Sequence, residues 1–435
     1  MRRVLIITYV WPPFGHAPVQ RVLRFCKYLP QFGWQPVVLT VANPPAQMRT
    51  GENGSSIPLT VRVFRAPTLE PPTALKRRVR EWLRTRQAQP PAAGEVPLHA
   101  KVQVLDTHVG WVPFATVRGW PLVHGQRIQA MLVTAPPFSS LMIGHCLHRL
   151  TGRPWIADFR DEWCGFLSYG YEAGARNRFA ERLESVVVRS AARVVSVSDG
   201  ITRNFQGRYS LLGHKFVTIT NGFDPDDFPP HLTTPRIDHR DKLRITFVGT
   251  IVRLTTPRYF LEAVAKMRQQ QPNLADRLEI NFYGRVVSEE EPFLRNPQLN
   301  GIVRFHGYLP HERVPAVLCD SDVLLVFVDE VTGAERVPTA KLFEYLAARR
   351  FILALVPEGE AARYVRECGA GRVVPPRATV EIQKTLGWMF EHPKQVRALP
   401  DYVPDRVSQF SRKVQTQRLA DLLDAITVSA AGVSK

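Results

Sequence analysis

Apolar positions along this chain fall into short unbroken runs, separated by longer stretches with helical spacing. VLIITYV, PVVLTV, VRVFR, AMLVT, WIADF, RVVSVS and FVTIT recur through the first half; RITFVG, LEINFYG, IVRFHG, DVLLVFV, FILALV and GRVV recur through the second. A continuous β-rich run suits a strand buried on both faces, as in a parallel sheet covered by helices. Between the first two runs, PVQRVLRFCKYLPQFG places Val19, Val22, Leu23, Cys26 and Leu29 on one helical face, with Gly33 as a stop. Near the other end, SRKVQTQRLADLLDAI carries Leu419, Leu422, Leu423 and Ile426 on an apolar face, with fraying expected from Thr427.

This alternation predicts an α/β fold of two doubly wound parallel-sheet domains. PPHLTTPRIDHRDK is polar, rich in proline and aperiodic, and reads as the linker. The expected boundaries are an N-terminal domain over 1–228, a linker over 229–242, a second domain over 243–408, and a C-terminal helix and tail over 409–435. The helix is expected to pack back toward the first domain. Sheets of this kind bind ligands outside the carboxyl ends of their strands, so the domains are expected to face one another across a cleft.

Composition narrows the class. The 435 residues are 45% hydrophobic and 22% charged, as in a globular protein. No apolar run approaches the ~18 residues of a membrane span. The start, MRRVLIITYVWPP, has a short apolar stretch that meets Pro12 and Pro13 at once, and reads as a first strand of a cytoplasmic protein rather than a signal peptide. Five scattered cysteines without metal-ligand or redox spacing read as reduced thiols. The net charge of +18 admits nucleic acid, an anionic membrane surface or phosphorylated substrates as partners. TALKRRVREWLRTRQ concentrates cations between Lys76 and Arg86, with Leu75, Val79, Trp82 and Leu83 among them, in a basic insert spanning about 73–98. Such a helix suits the anionic inner face of a membrane. Aromatic residues are not interleaved with the cations in a base-stacking pattern, so no nucleic-acid partner is expected.

The richest stretch runs from Pro338 to Gly371, PTAKLFEYLAARRFILALVPEGEAARYVRECGAG, a helix opening at Thr339, a strand, and a second helix. A helix N-terminus offers free N–H groups and partial positive charge to a phosphate, here beside Lys341. Glu344, further in, can hold sugar hydroxyls. The KLFEYLA run resembles the donor-binding segment of family-4 glycosyltransferases, which hold a nucleotide-sugar diphosphate and ribose there. WPPFGHAPVQR is similar to the family's PPxGG loop: Gly15 and Arg21 match, whereas His16 replaces the second glycine. DTHVGWVPFA, TAPPFSS and PWIADFRDEW resemble segments of a subgroup that builds cell-surface polysaccharides, although His108 stands where Lys is common and Glu162 replaces a Pro. SVSDGI and ITNGFDPDDF extend the likeness; Asp224 and Asp226 in the latter read as turn formers rather than a metal motif.

The resemblance covers about Arg3 to Ile426, excluding the basic insert, and implies the GT-B arrangement of two Rossmann-like domains, acceptor side first and donor side second. It implies a retaining, metal-independent transferase that moves a sugar from a nucleotide-diphosphate donor to a glycan or lipid-linked hydroxyl, with no cofactor. The implied donor residues are Gly249, Thr250, Gly284, His306, Thr339, Ala340, Leu342 and Glu344, with Lys341 and Arg253 stabilising the leaving diphosphate. The acceptor side would comprise Gly15, His16, Arg21, Arg160 and Trp163, with Asp158 or Asp161 as a reacting carboxylate. The family's pair of glutamates is incomplete: Glu344 fills the second position, Arg336 stands at the first, and Glu335 is one residue out. Two alternatives remain, a nucleotide-sugar 2-epimerase of similar fold and a non-catalytic basic protein that binds membrane or RNA.

Overall fold

The computed structural model describes residues 1–13, 17–42, 57–69, 78, 106, 108–165, 175–234, 241–294 and 296–433. They form two compact units, Met1–Thr220 with Arg412–Lys435, and Asn221–Ser411.

The first unit holds strands β1 (Arg2–Ile7), β2 (Trp34–Val41), β3 (Arg62–Ala66), β4 (Ala130–Ala135), β5 (Trp155–Phe159), β6 (Arg193–Ser196) and β7 (Phe216–Thr218). They pair in the order β3-β2-β1-β4-β5-β6-β7, all parallel. The second unit holds β8 (Leu243–Val248), β9 (Leu278–Tyr283), β10 (Val303–Phe305), β11 (Val323–Phe327), β12 (Phe351–Leu355) and β13 (Gly371–Val374). Their order is β10-β9-β8-β11-β12-β13, again all parallel. Every apolar run in the sequence is one of these strands. Val4, Leu5, Ile6 and Ile7, like Val323, Leu324, Leu325 and Val326, are wholly buried on both faces, so the runs show no alternation. Strand order reverses between β1 and β4 and between β8 and β11, which marks the carboxyl ends of those strands as binding positions.

The helix Ala17–Tyr28 buries the predicted face, and Gly33, at φ +82°, closes the following turn in a conformation that favours glycine. The C-terminal helix runs over Arg412–Val433, beyond the fraying expected at Thr427. It belongs to the first unit: Asp424 accepts from Trp34 Nε1 at 2.6 Å and pairs with Arg2 at 2.7 Å.

The unit boundary differs from the expected one. Residues 221–228 belong with the second unit, where Phe223 N–H donates to the Phe410 carbonyl at 3.3 Å. The start of the supposed linker is a helix, Pro230–Thr233, held by the buried Arg350 guanidinium, which donates to the carbonyls of Thr233 and Thr234. A polar, proline-rich stretch therefore concealed packed structure, because its anchor lies over a hundred residues on. The cationic run between Lys76 and Arg86 falls, apart from Arg78, outside the described residues. Among the described residues no helix is long and apolar enough to cross a membrane, and all five cysteines are free thiols.

Candidate functional site

In the second unit, three loops leave the carboxyl ends of β8, β9 and β10 side by side. Gly249 N–H donates to Tyr283 O at 2.8 Å, Gly284 N–H to Gly307 O at 2.6 Å, and His306 N–H to Phe282 O at 2.9 Å. Gly249 and Gly284 have φ of +148° and +131°. A Cβ on Gly284 would stand 2.1 Å from the Gly249 carbonyl oxygen, so only glycine allows this approach. Beyond Gly249 the exposed Thr250 accepts from Thr255 Oγ1 at 2.9 Å, which fixes the turn carrying the exposed Arg253. Among the described residues, no hydrogen bond or ion pair engages the Arg253 side chain.

The helix Ala340–Ala348 follows Thr339, whose backbone is extended at ψ 139°. Its inward face, Leu342, Phe343, Tyr345, Leu346 and Ala348, is fully buried. The Tyr345 hydroxyl accepts from Val248 N–H at 2.8 Å and donates to Val248 O at 3.3 Å. This pair of bonds ties the helix to the last residue of β8 and sets its first turn beside Gly249. Lys341 therefore crosses Gly249, where a Cβ would lie 2.4 Å from its Nζ. Its ammonium sits 3.9 Å from the centroid of the Phe247 ring, a cation–π contact. Burial lowers the Lys341 pKa from 10.5 to about 7, with Glu344 opposing the shift. A poised amine, the free N–H groups of Ala340 and Lys341, and the buried, unpartnered Thr339 Oγ1 converge on one helix start. Such an arrangement suits a bound anion, and phosphate above all.

Two expected donor residues, Leu342 and His306, act otherwise, and Glu335, which has no expected role, is engaged locally. The Leu342 side chain is wholly buried and its N–H donates to the Thr339 carbonyl at 3.1 Å, so neither faces a ligand. The His306 ring stacks on Tyr283 at 4.3 Å, and its Nε2 lies 2.7 Å from Asn281 Oδ1. Desolvation and Arg304 hold its pKa below the usual histidine value, and the ring braces its loop. Glu335 accepts from Gly333 N–H at 2.9 Å and pairs with Arg336 at 2.6 Å, away from any reacting role. Glu344 is half-buried one turn along from Lys341.

In the first unit, the motif segments meet at the ends of β1, β4 and β5, but largely as framework. Arg21 and Asp158 form a bidentate ion pair at 2.8 and 3.2 Å, each side chain 1% exposed. Arg21 also donates to the carbonyls of Ile219 and Thr220, and Thr134 Oγ1 donates to Asp158 at 2.8 Å. This corrects the expectation for both residues. The carboxylate is enclosed and bonded at both oxygens, and Arg21 is turned inward to it, so the pair acts as framework. Arg160 is buried and donates to the carbonyls of Ala135 and Pro136, clamping the TAPPFSS loop. Trp163 is wholly buried and stacks on Phe138 with ring centroids 5.3 Å apart, so it lines no open surface. Asp161 remains half-buried on the same loop. Gly15 and His16 lie outside the described residues.

Several organising residues escaped the sequence reading. Asp106 accepts from His108 N–H and from both the N–H and hydroxyl of Ser139, joining two motif segments. Glu184, fully buried, accepts from Cys164 N–H, Arg208 and Tyr209, while burial pushes its pKa up. Asp224 accepts from Asp226 N–H at 3.1 Å, so these acids shape a turn. No group of three or more His, Cys, Asp or Glu among the described residues could hold a metal ion.

Residues 17–222 match the profile of the glycosyl transferase 4-like domain. No curated protein matches the sequence significantly. Among solved structures, sucrose-phosphate synthase of Thermosynechococcus elongatus superposes with a TM-score of 0.70 at 15% identity, covering 99% of this chain and 100% of that one. HepE of Anabaena, solved with UDP and glucose, gives 0.63 at 15% identity over 98% and 100% of the two chains. WaaG, a glycosyltransferase involved in lipopolysaccharide biosynthesis, gives 0.63 at 14% identity over 97% and 99%. With its seven- and six-stranded parallel sheets, the chain has the GT-B fold of glycosyltransferases, and its residues 17–222 are matched by the glycosyl transferase 4-like domain.

Proposed function

We propose that this chain transfers a sugar from a nucleoside-diphosphate sugar to a hydroxyl of a glycan or lipid-linked acceptor, with retention of anomeric configuration. The observation that carries this reading is the Lys341 ammonium held over Gly249 at the start of the Ala340–Ala348 helix. HepE has been solved with UDP and with UDP-glucose, which supports a nucleotide-sugar donor here.

Departure of the nucleoside diphosphate leaves negative charge on its outer phosphate. Lys341, Arg253 and the N–H groups of Ala340 and Lys341 stabilise that charge as it develops. With a pKa of about 7 in the free protein, Lys341 takes up a proton as the diphosphate arrives. Glu344 receives the ribose hydroxyls. The leaving phosphate accepts the acceptor proton in a front-side attack, so the reaction needs neither a carboxylate base nor a metal ion. Asp161 is the acceptor-side carboxylate in this reading. A cytoplasmic enzyme of cell-surface polysaccharide synthesis, held at the inner membrane face through the cations between Lys76 and Arg86, fits the same chemistry.

Thermal melts of the whole chain with UDP, GDP, ADP, CMP and their common sugar conjugates test the donor assignment. One nucleoside diphosphate should raise Tm, and Lys341→Ala and Glu344→Ala should each abolish or weaken that rise. A Tm rise unchanged in both variants would place the donor elsewhere.

A further inference from the structure

The helix Val112–Gly125 is apolar on both faces. Its inward face, Ala115, Gly119, Leu122 and Val123, is buried against the first unit. Gly119 allows a close crossing with the helix Ser139–Thr151, since a Cβ there would stand 2.8 Å from a Leu147 methyl. The opposite face exposes Pro113, Val117, Trp120, Pro121 and His124, with Val117 at 73% and Trp120 at 52%. Leu69 and Val109 continue the stripe at one end, joined through Leu69 N–H and the Gly110 carbonyl, and both are exposed. A helix that is apolar all round belongs in a core or against an apolar phase. This one lies at the surface of its unit.

The sequence around the helix is rich in cations. The sequence contains no Asp or Glu between Asp106 and Asp158, but it contains Arg118, Arg127, Arg149 and Arg153. All four arginines are exposed, and among the described residues none pairs with a carboxylate. Arg118 stacks over Phe64 on the neighbouring edge strand β3, which adds Arg62 and Arg65. His145, near the same helix crossing, has its pKa lowered by desolvation and then by His148 and Arg149, as expected in a positive local field.

We infer that the outer face of the Val112–Gly125 helix lies on an anionic lipid surface, with Trp120, Val117 and Val109 entering the headgroup boundary and the arginines meeting lipid phosphates. An exposed Trp within an apolar stripe, with unpaired arginines on the same helix and in the segments next to it, is the chemistry of such an interface. The inference rests on the first unit alone and does not depend on the donor reading.

Cosedimentation of the whole chain with vesicles of phosphatidylcholine, with and without phosphatidylglycerol, tests it. Binding should require the anionic lipid. Val117→Ser with Trp120→Ala should weaken it about tenfold or more, and Arg118→Glu with Arg127→Glu should do the same. Leu211→Ser, which alters a residue 93% exposed elsewhere on this unit, should leave it unchanged. The Tm and far-UV spectrum of the Val117/Trp120 variant, measured in parallel without ligand, should match the wild type, showing that it folds. Equal binding by the wild type and that variant would overturn the inference. So would binding indifferent to anionic lipid, or conversion of a dimer to a monomer by the same substitutions, which would make the face a self-association surface.

Discussion

Replacing Lys341 by Met should stabilise the free protein. Met keeps the unbranched stem and its packing over Phe247 while removing the ammonium. A fall in pKa from 10.5 to about 7 corresponds to about 5 kcal/mol of disfavour for the charged form. Lys341 is only half-buried, and local relaxation and water reduce that figure, so about 1–3 kcal/mol is expected near neutral pH. In a unit of this size that is about 3–10 °C in Tm. The sign follows from linkage. Between pH 7 and 10.5 the unfolded chain binds the proton more readily than the folded one, so the wild type loses stability as pH falls. The advantage of the variant should be full at and below about pH 7 and should vanish toward pH 10.5. Urea unfolding of both proteins at pH 6.5, 8 and 9.5 would measure it. A variant less stable than the wild type, or a difference that does not change with pH, would refute the claim that burial of this ammonium is costly.

Gly249→Ala should cost nucleotide affinity at least about tenfold while leaving the far-UV spectrum intact, because its Cβ falls 2.4 Å from Lys341 Nζ. Titration with a nucleoside diphosphate checks this, and undiminished affinity would contradict the geometry. Asp158→Ala strands the buried Arg21 guanidinium and should destabilise the fold by about 3–5 kcal/mol in urea; a loss below about 0.5 kcal/mol would be that of an exposed residue. Glu335→Gln should keep turnover within about threefold, since that carboxylate serves Gly333 and Arg336. A hundredfold loss would instead give it a part in catalysis.

The strands were legible because they are buried on both faces, which writes them as unbroken apolar runs such as VLLVF. Lys341 was legible through the KLFEYLA run and the helix-start argument. Its setting was not, because Phe247 and the Tyr345 bond to Val248 lie almost a hundred residues away in sequence. The same limit hid the Arg21–Asp158 pair, which turned two expected acceptor residues into framework. Leu342 and Trp163 were read from motif position alone, and motif position does not reveal which way a side chain points. The outer face of the Val112–Gly125 helix escaped for the opposite reason. VPFATVRGWPLVHG looks like an ordinary buried helix until the packing shows which of its apolar residues stay outside.

Calorimetric titration with UDP at pH 8, in two buffers of different ionisation heat, asks whether Lys341 meets the diphosphate. At that pH the free Lys341 is largely neutral, and a diphosphate seated at the helix start must recharge it. Uptake of nearly one proton per UDP bound is expected for the wild type, and none on any residual binding to Lys341→Met. Tight binding without proton uptake, or equal uptake by both proteins, would contradict that.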